Sequence, residues 1–133
     1  MMKFAKVLLA IMITSTASQA DILKRDYVYE AKVVSVYDGD TIRVDIDLGF
    51  NLWLHNEPIR FIGINAPELR GDSKVEGIKS RDWLASKLQP GTMILLRTEK
   101  DAREKYGRYL GTVYLDGVNL NEEMINQGLA NQY

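Results

Sequence analysis

The 133-residue chain has no cysteine and only one histidine, His55. Without cysteine there is no disulfide framework, no thiolate metal site and no cysteine nucleophile. His55 stands in a polar stretch beside Asn56, so a mechanism built on a histidine base finds no support. Long hydrophobic runs are lacking as well. The most apolar segment, Val7 to Ile13, is too short to span a bilayer. Nor is there an excess of basic charge: 17 lysines and arginines face 18 aspartates and glutamates, a formal charge of −1. Non-specific grip on long nucleic acid usually rests on such an excess, because phosphate neutralisation drives that binding. Any handling of phosphate by this chain must therefore use local positive charge. Repeats, low-complexity tracts and linkers are absent after residue 20, and the length suits one domain.

The first twenty residues read as an export leader. Lys3 and Lys6 give a short basic start, the apolar run follows, and Ser18-Gln19-Ala20 places small side chains where a signal peptidase reads them. An amphipathic first helix is the other reading, but no polar face interrupts Val7 to Ile13. The expectation is an exported protein, periplasmic or secreted, with its domain over residues 21–133. A lipid anchor would need a cysteine near that boundary, so no stable membrane anchor is expected. Without Lys3 and Lys6 the balance is 15 basic to 18 acidic residues, a charge of −3.

Within the domain, Tyr27 to Val36 is β-rich, and Asp38-Gly39 follows as a turn signal. Thr41 to Asp47 alternates, with Ile42, Val44 and Ile46 on one face and Arg43, Asp45 and Asp47 on the other, as in a half-buried strand. Gly49 to Pro58 reads as a hairpin connection. Ile59 to Ile64 reads as a second apolar strand that ends before Pro67, with Gly63 marking a bulge or a close backbone approach. Ser73 and Glu76 have capping-box spacing and open a helix to about Leu88, whose core face is Trp83, Leu84 and Leu88. Pro90-Gly91 stops it. Met93 to Leu96 and Tyr109 to Leu115 read as further strands, the second closed by Asp116-Gly117. Asn121 is expected to cap a short helix through Gln127, stopped by Gly128. Five short strands interrupted by a helix predict an α+β, predominantly β fold: a five-stranded barrel of the OB type with two helices.

Three fragments carry candidate chemistry: Asp38-Gly39-Asp40-Thr41, Arg60 through Glu68 (RFIGINAPE) and Lys105-Tyr106-Gly107-Arg108. Alone, Asp38-Gly39-Asp40 is a turn. Its second aspartate opens the best strand of the chain, which would hold the carboxylate at a strand end. If that strand pairs with the next as a hairpin, Asp40 and the Asn65 to Glu68 segment converge. Asp40, the Asn65 side chain and the Ala66 carbonyl would then offer oxygen ligands of the kind a hard cation takes, with Asp38 contributing through a water. Arg60 lies inside an apolar strand, where a charge is costly unless it has a partner or lines an opening. Arg108 precedes a strand. Arginine is the planar fork matched to phosphate oxygens.

In their order and spacing these fragments resemble the thermonuclease (staphylococcal nuclease-like) family. The resemblance runs from about Val33 to Tyr133 and includes DGDT, the R-x₇-E ending in A-P-E, KYGR and the terminal NEEMINQGLA. It implies an OB-like barrel that hydrolyses DNA and RNA with Ca²⁺ and leaves 3′-phosphate ends. Position by position, it implies Asp40, Asn65 and the Ala66 carbonyl as cation ligands. Glu68 becomes the general base or orienter of the attacking water, and Arg60 and Arg108 the groups that hold the phosphoryl oxygens. Lys105 and Tyr106 would contact a terminal phosphate, and Tyr133 would lie near a nucleobase. Nucleic acid is the implied partner and a monomer the expected state. Three departures stand out: Asn65 where the family typically has aspartate, a longer Asp45 to Glu57 segment carrying Phe50, Leu52 and Trp53, and a last residue short of the family's C-terminal helix. They keep a second reading in view, a catalytically weak module that binds nucleic acid or protein.

Overall fold

The computed structural model of the chain describes residues 26–133 continuously and, before them, residues 5, 9–13, 16, 18 and 19. The expected leader and its boundary at Asp21 therefore fall largely outside the described residues. Among the described residues no helix is long and apolar enough to cross a membrane.

Strand β1 (Val28–Asp38) turns tightly into β2 (Thr41–Asp47), with Asp38 opposite Thr41. The alternation of β2 is realised: Ile42, Val44 and Ile46 are buried while Arg43 is exposed. Strand β3 (Trp53–Phe61) returns antiparallel to β2 and sets Arg60 opposite Thr41. It starts earlier than the sequence predicts, because Trp53 to Glu57 pair with the far half of β2. The connection shrinks to Leu48–Leu52, closed by Leu52 N–H to Gly49 C=O at 2.9 Å. Gly63 (φ 77°) occupies the tight turn into the short β4 (Ile64–Asn65), rather than a bulge within one strand.

Helix α1 (Lys74–Lys87) follows a 3₁₀ turn at Gly71–Ser73 and packs against β1. The expected capping box does not form. Ser73 makes no side-chain cap bond, and its hydroxyl reaches back to the Glu68 carbonyl at 3.4 Å. The preceding turn already leads the backbone into the helix, so the extended conformation of an N-cap residue is missing. Leu84 and Leu88 are fully buried as expected, and Trp83 is half-buried with the Lys87 ammonium over its ring.

Strand β5 (Met93–Arg103) is much longer than the expected Met93 to Leu96. Its second half pairs with β6 (Tyr109–Leu115) across an irregularity where Lys100 and Asp101 take positive φ. Tyr29 and Thr98 both donate to the Asp101 carboxylate and hold that excursion in place. The strands β7 (Val118–Asn119) and β8 (Asn131–Gln132) flank helix α2 (Leu120–Asn126). The α2 cap is Asn119, whose side chain accepts the Glu122 N–H at 3.1 Å, and not Asn121 as expected.

Asn121 is instead buried and joins the barrel. Its Oδ1 accepts Val113 N–H at 3.0 Å, and its Nδ2 donates to the carbonyls of Ile62 and Gly111 at 3.0 and 3.1 Å. These atoms lie where the parallel pairing of β3 with β6, at Ile59–Tyr109, Arg60–Leu110 and Phe61–Gly111, comes to its end. That pairing closes the sheet into a barrel in the order β1-β2-β3-β6-β5. Among the described residues the fold is thus the expected OB-type five-stranded barrel with two helices, filled by residues such as Val33, Ile42, Ile59, Phe61 and Leu96.

Candidate active site

The pairing of β2 with β3 brings the Asp40 turn beside the exit of β3, and the β3–β6 pairing adds the start of β6. Asp40 is 5% exposed and makes contacts through both of its oxygens. Its Oδ2 accepts the Ala66 N–H at 2.8 Å and lies 3.4 Å from Arg60 Nη1, while its Oδ1 accepts the Thr41 hydroxyl at 3.1 Å. Arg60 also donates to its neighbour's carbonyl, Phe61 O, at 2.8 Å and to Asn65 Oδ1 at 3.3 Å. A charge placed inside an apolar strand thereby has the partners that burial demands.

Arg108 is tied from two sides. Its Nε and Nη2 meet the two oxygens of Glu104 at 3.0 and 3.3 Å, and its Nη1 donates to Thr41 Oγ1 at 3.1 Å. Thr41 thus links Arg108 to Asp40, and one connected network runs from Arg60 through Asp40 and Thr41 to Arg108. These bonds take three of the five N–H groups of a guanidinium and leave the others for a ligand. Glu104 also accepts the backbone N–H groups of Tyr106 and Arg108, each at 3.0 Å, which fixes the turn between β5 and β6. The Arg108 bonds foremost, helped by these backbone donors, hold the Glu104 carboxyl down at about 2. Sequence reasoning missed both Thr41 and Glu104 as partners of Arg108. The available signal for Glu104 was its place four residues before an arginine, across a glycine-containing turn.

Arg60, Asn65, Lys105, Tyr106, Arg108 and Tyr133 line one open cavity of about 720 Å³. Lys105 lies over the Tyr106 ring, which is largely exposed, as is Tyr133. Tyr133 is held at the rim by its backbone N–H to Gly63 C=O at 2.9 Å, and β8 pairs with β4 to set Asn65 opposite Asn131. Asp40 and Ala66 do not line this cavity but are joined to it, Asp40 through Arg60 and Ala66 through its N–H on Asp40; Glu68 stands apart. Glu68 is exposed, lines none of this cavity, and its carboxylate makes no hydrogen bond or ion pair with any described residue.

For a cation the donors are oxygens only: Asp40, Asn65 Oδ1, the Ala66 carbonyl and, behind them, Asp38. Burial, and then the negative charge of Asp40, push the Asp38 carboxyl up to about 6. Two carboxylates that repel each other in a partly dry place fit a hard divalent ion, which would relieve the repulsion. Among the described residues no cluster of three acidic or histidine side chains exists, so carbonyl, amide and water oxygens must complete such a shell.

A closed OB-type barrel carries on its flank a pocket lined by two arginines, beside the Asp40 turn. Residues 58–133 match the family model described as staphylococcal nuclease homologue, and the chain belongs to that family. It is 34% identical to the endonuclease YhcR of Bacillus subtilis over 114 residues, covering 79% of this chain and 9% of that protein. It is 32% identical to the thermonuclease of Staphylococcus hyicus over 102 residues, with 74% and 56% covered. An uncharacterized endonuclease of Haemophilus influenzae shares 35% over 104 residues, with 77% and 51% covered. The chain thus spans less than two thirds of each of these relatives.

Proposed function

We propose that this domain is an exported, calcium-dependent endonuclease that hydrolyses phosphodiester bonds of DNA or RNA and leaves 3′-phosphate ends. The observation that carries the reading is the network Arg60–Asp40–Thr41–Arg108 at the mouth of a nucleotide-sized cavity, in a member of this family. Phosphoryl transfer asks mainly for positioned positive charge around a five-coordinate phosphorus. Arg60 and Arg108 are pre-oriented by their carboxylate partners, and their remaining N–H groups point the fork at phosphoryl oxygens. Lys105 and Tyr106 receive a terminal phosphate, and Tyr133 supports a base at the rim. Glu68, whose carboxylate has no partner among the described residues, accepts the proton of the attacking water as the new P–O bond forms. The P–O5′ bond then breaks, and the leaving oxygen takes up a proton. Asp40, Asn65 and the Ala66 carbonyl are the residues to hold calcium, with Asp38 through a water. When bound, the ion adds Lewis acidity at the phosphoryl oxygen. Export rests on the basic and apolar start of the chain, and a single copy carries the whole set.

A second reading is favoured by one observation: Asn65 Oδ1 faces Arg60, so the cation shell has one carboxylate fewer than a paired-aspartate site. It describes a domain that binds nucleic acid and cleaves it poorly. Digestion of single-stranded DNA by the purified chain, with calcium or with chelator, separates the two. The nuclease reading expects calcium-dependent cleavage that Glu68→Gln lowers by about 10²–10⁴-fold, the usual worth of a general base. Cleavage that is equal in Glu68→Gln belongs to a contaminant and sinks the assignment, and retention of DNA without cleavage supports the binding module.

A further inference from the structure

Helix α1 meets the site with two small buried residues one turn apart, Gly77 and Ser80. A methyl group at Gly77 would run into the Glu68 carbonyl oxygen and lie 2.7 Å from its carbon and 2.9 Å from the Pro67 oxygen. All three are backbone atoms, so no rotamer change gives relief. One turn further along, Ser80 supports the other acidic segment. A methyl at Gly39, between Asp38 and Asp40, would lie 2.8 Å from both the Ser80 and Ala66 Cβ atoms. One helix face thus carries the turn that presents Asp40 and the segment that presents Glu68. Glycine in a helix interior is less favourable than alanine, and the close approach accounts for its presence at position 77.

We propose that Gly77 is a positioning residue for Glu68. It lets α1 lie directly against the Pro67–Glu68 carbonyls and so sets where the Glu68 carboxylate stands relative to Asp40 and the two arginines. The proposal rests on the nuclease reading of this site. Glu68 needs such a device because its side chain has no partner among the described residues to hold it. The segment is tethered at one end by Ala66 N–H on Asp40 at 2.8 Å, and at the other by the Ser73 hydroxyl on the Glu68 carbonyl at 3.4 Å. Between these points the backbone of α1 is the wall that fixes its depth. A methyl group on that wall displaces the carboxylate while leaving the arginine pocket, on the other side of Asn65, in place.

The test is a double-mutant cycle on the full chain: Gly77→Ala, Glu68→Gln and the two together, with single-stranded DNA and saturating calcium. Gly77→Ala is expected to lower kcat at least tenfold and to leave KM and the calcium half-saturation within about twofold. In the Glu68→Gln background it should change the residual rate less than twofold, since a residue that acts through Glu68 has nothing left to position. Backbone amide resonances of Glu68 and Leu69 should move, while those of Val44 and Ile46 stay. An equal tenfold loss in both backgrounds shows a merely structural role and overturns the proposal. So does an unchanged Glu68 resonance. If the parent chain itself shows no calcium-dependent cleavage, the nuclease reading falls, and the Glu68 resonance alone decides whether Gly77 sets that segment. Should Gly77→Ala fail to fold, the same substitution with one glycine inserted after Gly71 gives the segment slack. A folded variant with low kcat then supports the proposal, and full activity overturns it.

Discussion

Asn121 offers the sharpest test of how the barrel is closed. Replacing it with alanine removes three hydrogen bonds, to Val113 N–H, Ile62 C=O and Gly111 C=O. The consequences differ at each atom. Gly111 C=O keeps the Ile62 N–H at 2.9 Å, and Ile62 is half-buried, so its carbonyl can recruit water. Val113 is fully buried, so its N–H is left without an acceptor in a dry place. That orphaned donor costs about 1–3 kcal/mol, and the two weakened carbonyl contacts add roughly 0.5–1 kcal/mol each. Alanine returns only a few tenths of a kcal/mol through its helix preference. The total is about 3 kcal/mol, which lowers Tm by roughly 12–24 °C in a domain of this size.

The control is Asn119→Ala, which removes a single cap bond at the start of α2 and should cost about 1 kcal/mol. Urea unfolding of both variants in calcium-free buffer, checked for a constant m-value, gives the two numbers directly. The reasoning is refuted if Asn119→Ala costs as much as Asn121→Ala.

Two further outcomes follow from the site. Glu104 is held at about 2, below its ordinary value of 4.5, so its contribution to stability is present above about 4.5 and is lost as pH falls from there toward 2. The urea midpoint of the parent chain should therefore fall more steeply between pH 5 and pH 2.5 than that of Glu104→Gln. Equal slopes would mean that the Arg108 pair is not formed in solution. Asn65→Asp restores a negative charge to the donor cluster and should tighten calcium binding about tenfold, or ~1.4 kcal/mol. An unchanged titration by calorimetry would show that residue 65 is not a ligand.

The parts legible in the sequence are those whose signal is local. Strands β2 and β6 run over the expected residues, since alternation and a flanking turn announce both. The second half of β5 was not legible because Arg97 to Arg103 is polar and is held as a strand by its neighbours. Asn121 was misread for a related reason. Its spacing from the helix suits a cap, but its partners at residues 62, 111 and 113 come together only when the barrel closes. Ser73 likewise has cap spacing, yet the 3₁₀ turn before it removes the geometry a cap needs. At the site, the motif residues Asp40, Arg60, Asn65, Ala66 and Arg108 converge because each sits at the end of a paired strand. Glu68 lies past Pro67, where no strand pairing fixes the chain. Its placement depends on Gly77, which no periodicity argument singles out.

The same distinction between local and tertiary explains how an acidic chain can present a cationic pocket. Each arginine of the pocket is flanked by one carboxylate, Asp40 at 3.4 Å from Arg60 and Glu104 at 3.0 Å from Arg108. Half-buried guanidinium groups need such partners, since removing a charge from water costs several kcal/mol when nothing compensates it. Each partner is bound through part of its fork, and both arginines line the cavity, with Glu104 beside Arg108 in its wall. Charges elsewhere on the surface matter little at this range, because solvent and salt screen exposed groups beyond roughly 8–10 Å. A formal charge of −1 is then compatible with the single-phosphate contact that the proposed function requires. What it withholds is the long-range field that gathers long nucleic acid non-specifically. On the proposed nuclease reading, affinity for a phosphodiester would therefore reside in the pocket rather than along the surface.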